Sequence, residues 1–160
     1  MRLLHYTEEE FELEPRKYSQ RKPDWQNKPP GLWVSVEGEY DWKYWCEAEE
    51  FHLEGLKVSY EVVLKEDANI LHLKTPEQII NLRLEYPWIK PQWRDEVGTK
   101  LCGSYEIDWE KMMGKYQGII IAPYQFSCRM HNDSCWYYGW DCASGCIWDL
   151  SCIEQFKLVK

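Results

Sequence analysis

No stretch of this chain approaches the ~20 consecutive apolar residues that a membrane-crossing helix needs, and the N-terminus lacks the apolar run of a secretory leader. A cytoplasmic protein that neither spans nor binds a membrane is therefore expected. The chain also lacks any run of Lys or Arg. With 19 basic and 27 acidic residues its net charge is -8, which disfavours indiscriminate binding to a polyanionic backbone. Four common motifs are missing: Gly-x4-Gly-Lys-Ser/Thr, His-Glu-x-x-His, Gly-x-Ser-x-Gly and Gly-x-Gly-x-x-Gly. P-loop hydrolysis, zincin proteolysis, α/β-hydrolase chemistry and Rossmann-type dinucleotide binding thus have no motif support. There is no internal repeat or low-complexity tract. The seven cysteines are odd in number and irregularly spaced, which fits a reducing compartment better than a complete disulfide framework.

What the chain does have is aromatic surface. Its 160 residues fit one domain, 1–160, and 44% hydrophobic residues supply a core. Ten Trp and 11 Tyr are many for this length, and their indole N–H and phenol O–H groups need partners wherever they are buried. They concentrate between Trp136 and Trp148, where Trp136, Tyr137, Tyr138, Trp140 and Trp148 surround Asp141. Either these rings are core and Asp141 caps a turn, or an acid among flat rings marks a ligand site. Arg16, Lys17, Arg21, Lys22 and Lys28, interleaved with Tyr18 and Trp25, form either a substrate-facing loop or an ordinary solvated one. Cys128-x2-His131-x3-Cys135 followed by Cys142-x3-Cys146 contains enough soft ligands for zinc, without the paired Cys-x2-Cys knuckles of structural sites. Buried free thiols are the alternative, and no metal is assigned. Cys128 and His131 also form a loose candidate for a thiol–imidazole pair.

The pattern predicts a strand over residues 2–6, a long polar loop through Pro23, Pro29 and Pro30, a strand over 31–36, and a helix over 41–51 with Asp41 as N-cap. Residues 57–65 and 69–73 are β-rich and flank a turn at Glu66-Asp67-Ala68, which suggests a hairpin. Thr75-Pro76-Glu77-Gln78 combines an N-cap, Pro at N1 and a capping-box Gln, opening a helix to Glu85 with Ile79, Ile80, Leu82 and Leu84 as its apolar residues. An irregular connection over 87–103 precedes a helix at 108–116. The apolar run 117–123 reads as a buried central strand, and 146–150 as a last strand before a helix or turn near Ser151. This order points to an α+β domain with a largely antiparallel sheet.

Three separated windows, Leu4-His5-Tyr6-Thr7, Gly31-Leu32-Trp33-Val34-Ser35 with the aromatic helix after it, and Asp141 ahead of Gly145-Cys146-Ile147-Trp148, resemble the ADP-ribosyltransferase superfamily. The resemblance is one of pattern and covers mainly residues 2–7, 31–46 and 116–154. It implies a split sheet whose cleft binds NAD as substrate. Trp33 stands where the family has a tyrosine, Trp45 looks like the later aromatic that stacks on nicotinamide, and Asp141 is the nearest acid upstream of the closing strand. Tyr6 occupies the place of a glycine whose backbone meets the nicotinamide amide. No Glu-x-Glu pair precedes the closing strand, so arginine-directed transfer is not implied. Asp149 is an alternative acid.

The resemblance thus assigns NAD binding to His5, Tyr6, Trp33, Ser35 and Trp45, and catalysis to Asp141 and His5. His5 would donate to a ribose hydroxyl, while the tryptophans wall the cationic nicotinamide ring. A carboxylate beside the ribose would stabilise the oxocarbenium-like state as the bond from C1′ to nicotinamide breaks. The function implied is mono-ADP-ribosyl transfer to an unidentified protein or nucleic-acid acceptor. Small bacterial and phage members of the superfamily act in toxin, defence and counter-defence systems. The alternative is a non-catalytic inhibitor or adaptor of the same fold, holding a partner through the aromatic patch at Trp136, Tyr137 and Trp140.

Overall fold

The computed structural model describes residues 1–19, 28–88 and 106–159. Arg21, Lys22, Pro23 and Trp25 of the basic stretch, and residues 89–103 of the irregular connection, lie outside the described residues. Seven strands form the main sheet: β1 (Leu3–Thr7), β2 (Leu32–Val36), β3 (Val58–Leu64), β4 (Ile70–Leu73), β7 (Gly118–Ile121), β8 (Ser144–Ile147) and β9 (Ile153–Leu158). Their order is β4-β7-β8-β2-β1-β3-β9, and every neighbouring pair is antiparallel except β4 and β7. A small ladder joins β5 (Pro87–Trp88) to β6 (Glu106–Ile107). With helices α1 (Trp42–Ala48), α2 (Pro76–Glu85), α3 (Trp109–Met113) and α4 (Phe126–Arg129), the fold is α+β. Among the described residues no helix is long and apolar enough to cross a membrane.

Local signals account for the helix starts. Thr75 accepts from Gln78 N while the Gln78 side chain accepts from the Thr75 N–H, closing the capping box that opens α2. Asp41 accepts from Tyr44 N at 2.8 Å, and Asp108 accepts from Lys111 N at 3.0 Å, so both acids cap as their positions suggest. On α2, Ile79 and Leu82 are buried, three residues apart on one face, whereas Leu84 points into solvent.

Long-range pairing departs from the sequence pattern in two places. Strands β3 and β4 do not form a hairpin: β3 lies between β1 and β9, while β4 pairs in parallel with β7 at the far edge. The Glu66-Asp67-Ala68 turn therefore sends the chain across the sheet. Nor is 146–150 the last strand. Strand β8 starts at Ser144, a 3-10 turn at Leu150–Cys152 follows, and β9 closes the other edge against β3. The polar residues of Ile-Glu-Gln-Phe-Lys-Leu reflect an edge strand with exposed positions.

The apolar run of β7 is buried along its whole length, and so is β8. Gly145 permits their contact, because a Cβ there would lie 2.6 Å from the Ile119 carbonyl oxygen. Trp136, Tyr137, Trp140 and Trp148 are each 0–1% exposed and belong to the core beside this sheet. Trp136 sits in a 3-10 segment (Asn132–Tyr137) and donates its indole N–H to the Ile79 carbonyl at 3.3 Å. The aromatic window is thus mostly interior, and Trp136, Tyr137 and Trp140 cannot serve as an exposed docking patch. Within the window Tyr138 is exposed, and outside it so are Tyr40, Tyr44 and Phe126, with Tyr40 and Phe126 ring centroids 4.5 Å apart.

Candidate functional site

The ladder between β1 and β2 consists of two residue pairs, Leu3 with Val36 and Leu4 with Ser35. By contrast β1 pairs with β3 over five positions and β2 with β8 over four. Beyond Leu4 the link is a side chain, since the His5 imidazole lies with Nδ1 2.8 Å from the Trp33 carbonyl oxygen. A carbonyl only accepts, so Nδ1 carries the proton and the neutral ring offers Nε2 as an acceptor. Burial pushes the His5 pKa below its ordinary 6.5, against the opposing effect of the bond to Trp33. With Nδ1 engaged in this way, the neutral ring has an acceptor and no donor left to offer.

A cavity of about 320 Å³ opens beside this bridge. His5, Tyr6, Trp33, Ser35 and Asp141 all line it, together with Lys28, Trp42 and Trp140. Trp45 does not. It stacks behind Trp42, with centroids 5.2 Å apart and planes 19° from parallel, so Trp42 forms the wall and Trp45 supports it. The two residues sit three apart on α1, and sequence alone does not tell which faces the sheet. Ser35 fixes this helix by accepting from Trp42 N at 2.9 Å. Trp33 meets Trp140 edge-on at 4.9 Å and has the Lys28 ammonium 5.2 Å from its ring centroid.

Asp141 is partly buried and pairs with Arg129 at 3.2 Å. Desolvation raises its pKa above the usual carboxylate value, and the positive charges of Lys28 and Arg129 oppose that rise. Burial, reinforced by Asp41 and Glu37, pushes the Tyr6 phenol up to about 12, so it remains a neutral donor and acceptor. The Cys142 thiol, also in the wall, is pushed up to about 12 by burial and is a weak nucleophile. Asp149 lies elsewhere: it caps the Leu150–Cys152 turn through Ser151 and faces Lys17 at 3.7 Å.

The candidate zinc ligands do not converge. Among the described residues the group close enough to share an ion is Glu8, His52 and Glu54, all exposed, and none of the cysteines belongs to it. Cys128 is buried with its thiol pKa raised, while the exposed His131 accepts from Asp133 N at 3.1 Å, so these two do not form a catalytic pair. His52 forms part of the cavity rim in a left-handed conformation, φ 48°, and donates from Nδ1 to Glu54 at 2.9 Å.

A second cavity of about 310 Å³ lies across the His5–Trp33 bridge, lined by Phe11, Glu12, Glu14, Arg16 and Tyr18 among others. His5 and Trp33 belong to both walls. No family model, curated protein or solved structure matches this chain.

Proposed function

We propose that the first cavity binds the nicotinamide end of NAD and that the protein is an NAD-dependent mono-ADP-ribosyltransferase. The observation that carries this reading is convergence: His5, Tyr6, Trp33, Ser35 and Asp141, distant in sequence, line one cavity where β1 and β2 part. The sheet is continuous through those two pairs, and this reading takes the shortness of the ladder as the counterpart of the expected split. The cavity is large enough for a nicotinamide ring with its ribose, leaving the rest of the dinucleotide to extend beyond it.

In this reading Trp42, backed by Trp45, presents an aromatic wall to the cationic ring. His5 Nε2 accepts from a ribose hydroxyl. The bond between ribose C1′ and the nicotinamide nitrogen breaks, and its electron pair leaves with nicotinamide. Asp141 stabilises the positive charge developing on the ribose. The acceptor nucleophile then bonds to C1′ and gives up a proton.

A second reading is favoured by the Asp141–Arg129 pair, which already occupies one carboxylate oxygen. In it the protein is a non-catalytic inhibitor or adaptor of the same fold. Calorimetric titration of NAD, with nicotinamide detected by chromatography and Asp141→Asn as control, separates the two. Binding with Asp141-dependent nicotinamide release supports the transferase, whether water or an added macromolecule is the acceptor. Binding without release from any acceptor supplied supports the adaptor, and absence of binding removes the NAD site.

A further inference from the structure

One face of the fold holds most of the chain's excess negative charge. Residues 37–54, which follow β2 through α1 into the 3-10 turn Leu53–Leu56, contain seven acids and one lysine, a net of -6 against -8 for all 160 residues. Only Cys46 in this segment is buried. Among the described residues Glu39, Glu49 and Glu50 make no ion pair within 4.0 Å. Glu8, just past β1, joins this face with its carboxylate 3.9 Å from His52 Nε2, and the exposed Glu9 and Glu10 follow it. The field reaches the cavity, where Asp41, Glu37 and Glu47 add to burial in pushing the Tyr6 phenol up.

Solvated acids by themselves are ordinary surface, but these surround a continuous row of rings. Trp42, in the cavity wall, stacks on Trp45; Trp45 meets Phe51 with centroids 5.3 Å apart, and Phe51 meets His52 at 6.0 Å. Phe51 is 51% exposed and Leu53, two residues on, 48%. Exposed apolar side chains scattered singly need no partner, whereas a contiguous group rimmed by polar residues marks an interaction surface. The sign of the rim selects the partner. It repels nucleic acid and anionic lipid, while carboxylates and ring faces both attract Lys and Arg.

We propose that this face docks a basic protein segment, whose Lys or Arg side chains meet the carboxylates and whose apolar side chains pack on Phe51 and Trp45. Because Trp42 and His52 also line the first cavity, a segment docked here lies at its mouth. Under the transferase reading this names the class of the acceptor, a basic protein; under the adaptor reading the same segment belongs to the partner. No step of the docking depends on NAD.

Fluorescence anisotropy with a labelled peptide of repeating Lys-Leu-Arg, its counterparts repeating Lys-Ser-Arg and Glu-Leu-Asp, and a single-stranded oligonucleotide of equal length tests the assignment. Wild type binds Lys-Leu-Arg most tightly, Lys-Ser-Arg less so, and neither the acidic peptide nor the oligonucleotide. Neutralising the three unpaired acids together (Glu39→Gln, Glu49→Gln, Glu50→Gln) weakens Lys-Leu-Arg about tenfold. The same loss of charge at the other end of β3 (Glu66→Gln, Asp67→Asn, Glu154→Gln) changes it less than about twofold. Phe51→Ala brings Lys-Leu-Arg down to the level of Lys-Ser-Arg and leaves the latter unchanged. Failure of wild type to bind the basic peptides overturns the proposal, as do equal losses in the two triple variants, indifference to Phe51→Ala, or a preference for the oligonucleotide. Titration of the same proteins with NAD keeps the two proposals apart: peptide binding without NAD binding leaves the docking face standing and removes the NAD reading, and NAD binding without peptide binding does the reverse.

Discussion

The His5 imidazole donates from Nδ1 to the Trp33 carbonyl oxygen at 2.8 Å, so a side chain joins β1 to β2 where their backbone ladder has stopped. Because the ring is half-buried and its pKa depressed, the fold favours its neutral form. The unfolded chain, with a pKa near 6.5, takes up a proton first on acidification. His5 therefore contributes full stability above 6.5 and loses it as pH falls from there through the lower folded value. His72 is shifted in the same direction, so the informative quantity is a difference between proteins. The unfolding midpoint of wild type should fall more steeply below pH 6.5 than that of His5→Gln, measured by thermal denaturation. Parallel curves would deny His5 this role.

Asp141 acts as a carboxylate in the proposed transfer, and desolvation raises its pKa. Nicotinamide release should accordingly decline on acidification at a pH above the ordinary aspartate value. Arg129→Gln removes a cation that opposes the rise, so the acid limb of the pH–rate profile should move to higher pH. Asp141→Asn should lower the maximal rate by about 10²–10³ without unfolding the protein. A limb that stays in place in Arg129→Gln would mean that another group titrates.

On α1 the stacked pair Trp42 and Trp45 divides the work unequally. Trp42→Ala removes cavity wall and should weaken NAD about tenfold, whereas Trp45→Ala removes only its support and should cost less. Equal losses in a fluorescence titration would show that the pair acts as one surface.

Trp136 is fully buried, while Tyr44 is 50% exposed. Urea unfolding should show Trp136→Ala destabilised by about 3–5 kcal/mol and Tyr44→Ala changed by no more than about 0.5 kcal/mol. If Trp136→Ala were nearly neutral, the aromatic window would be surface after all.

These residues mark how far the sequence is legible. The capping box at Thr75 and the caps at Asp41 and Asp108 depend on neighbours within three residues, and all three could be read directly. Pairing of β4 with β7 depends on residues such as Ile70 and Gly118, far apart in the chain, and nothing near either announces the other. The turn between β3 and β4 is compatible with a hairpin, and only the competition of β1 and β9 for both edges of β3 decides against it. At the cavity, it was the resemblance of three windows to a known pattern that grouped His5, Trp33, Ser35 and Asp141, which line one cavity. Lys28 was legible only as one member of a basic stretch, because its place depends on how its stem passes Gly139 and Trp33. The same limit hid the choice between Trp42 and Trp45, and the direction of the hydrogen bond at His5.

Strands β8 and β9 are consecutive in the chain, yet β8 completes the pairing of β2 and β7 while β9 closes the outer edge of β3. As the chain emerges from the ribosome, β2, β3 and β7 must each wait with an open edge for the segment from Ser144 to Leu158. Leu32, for example, meets its partner Ile147 only then. Folding should therefore be late and cooperative, with nascent chains ending before β8 exposed to aggregation and to chaperones.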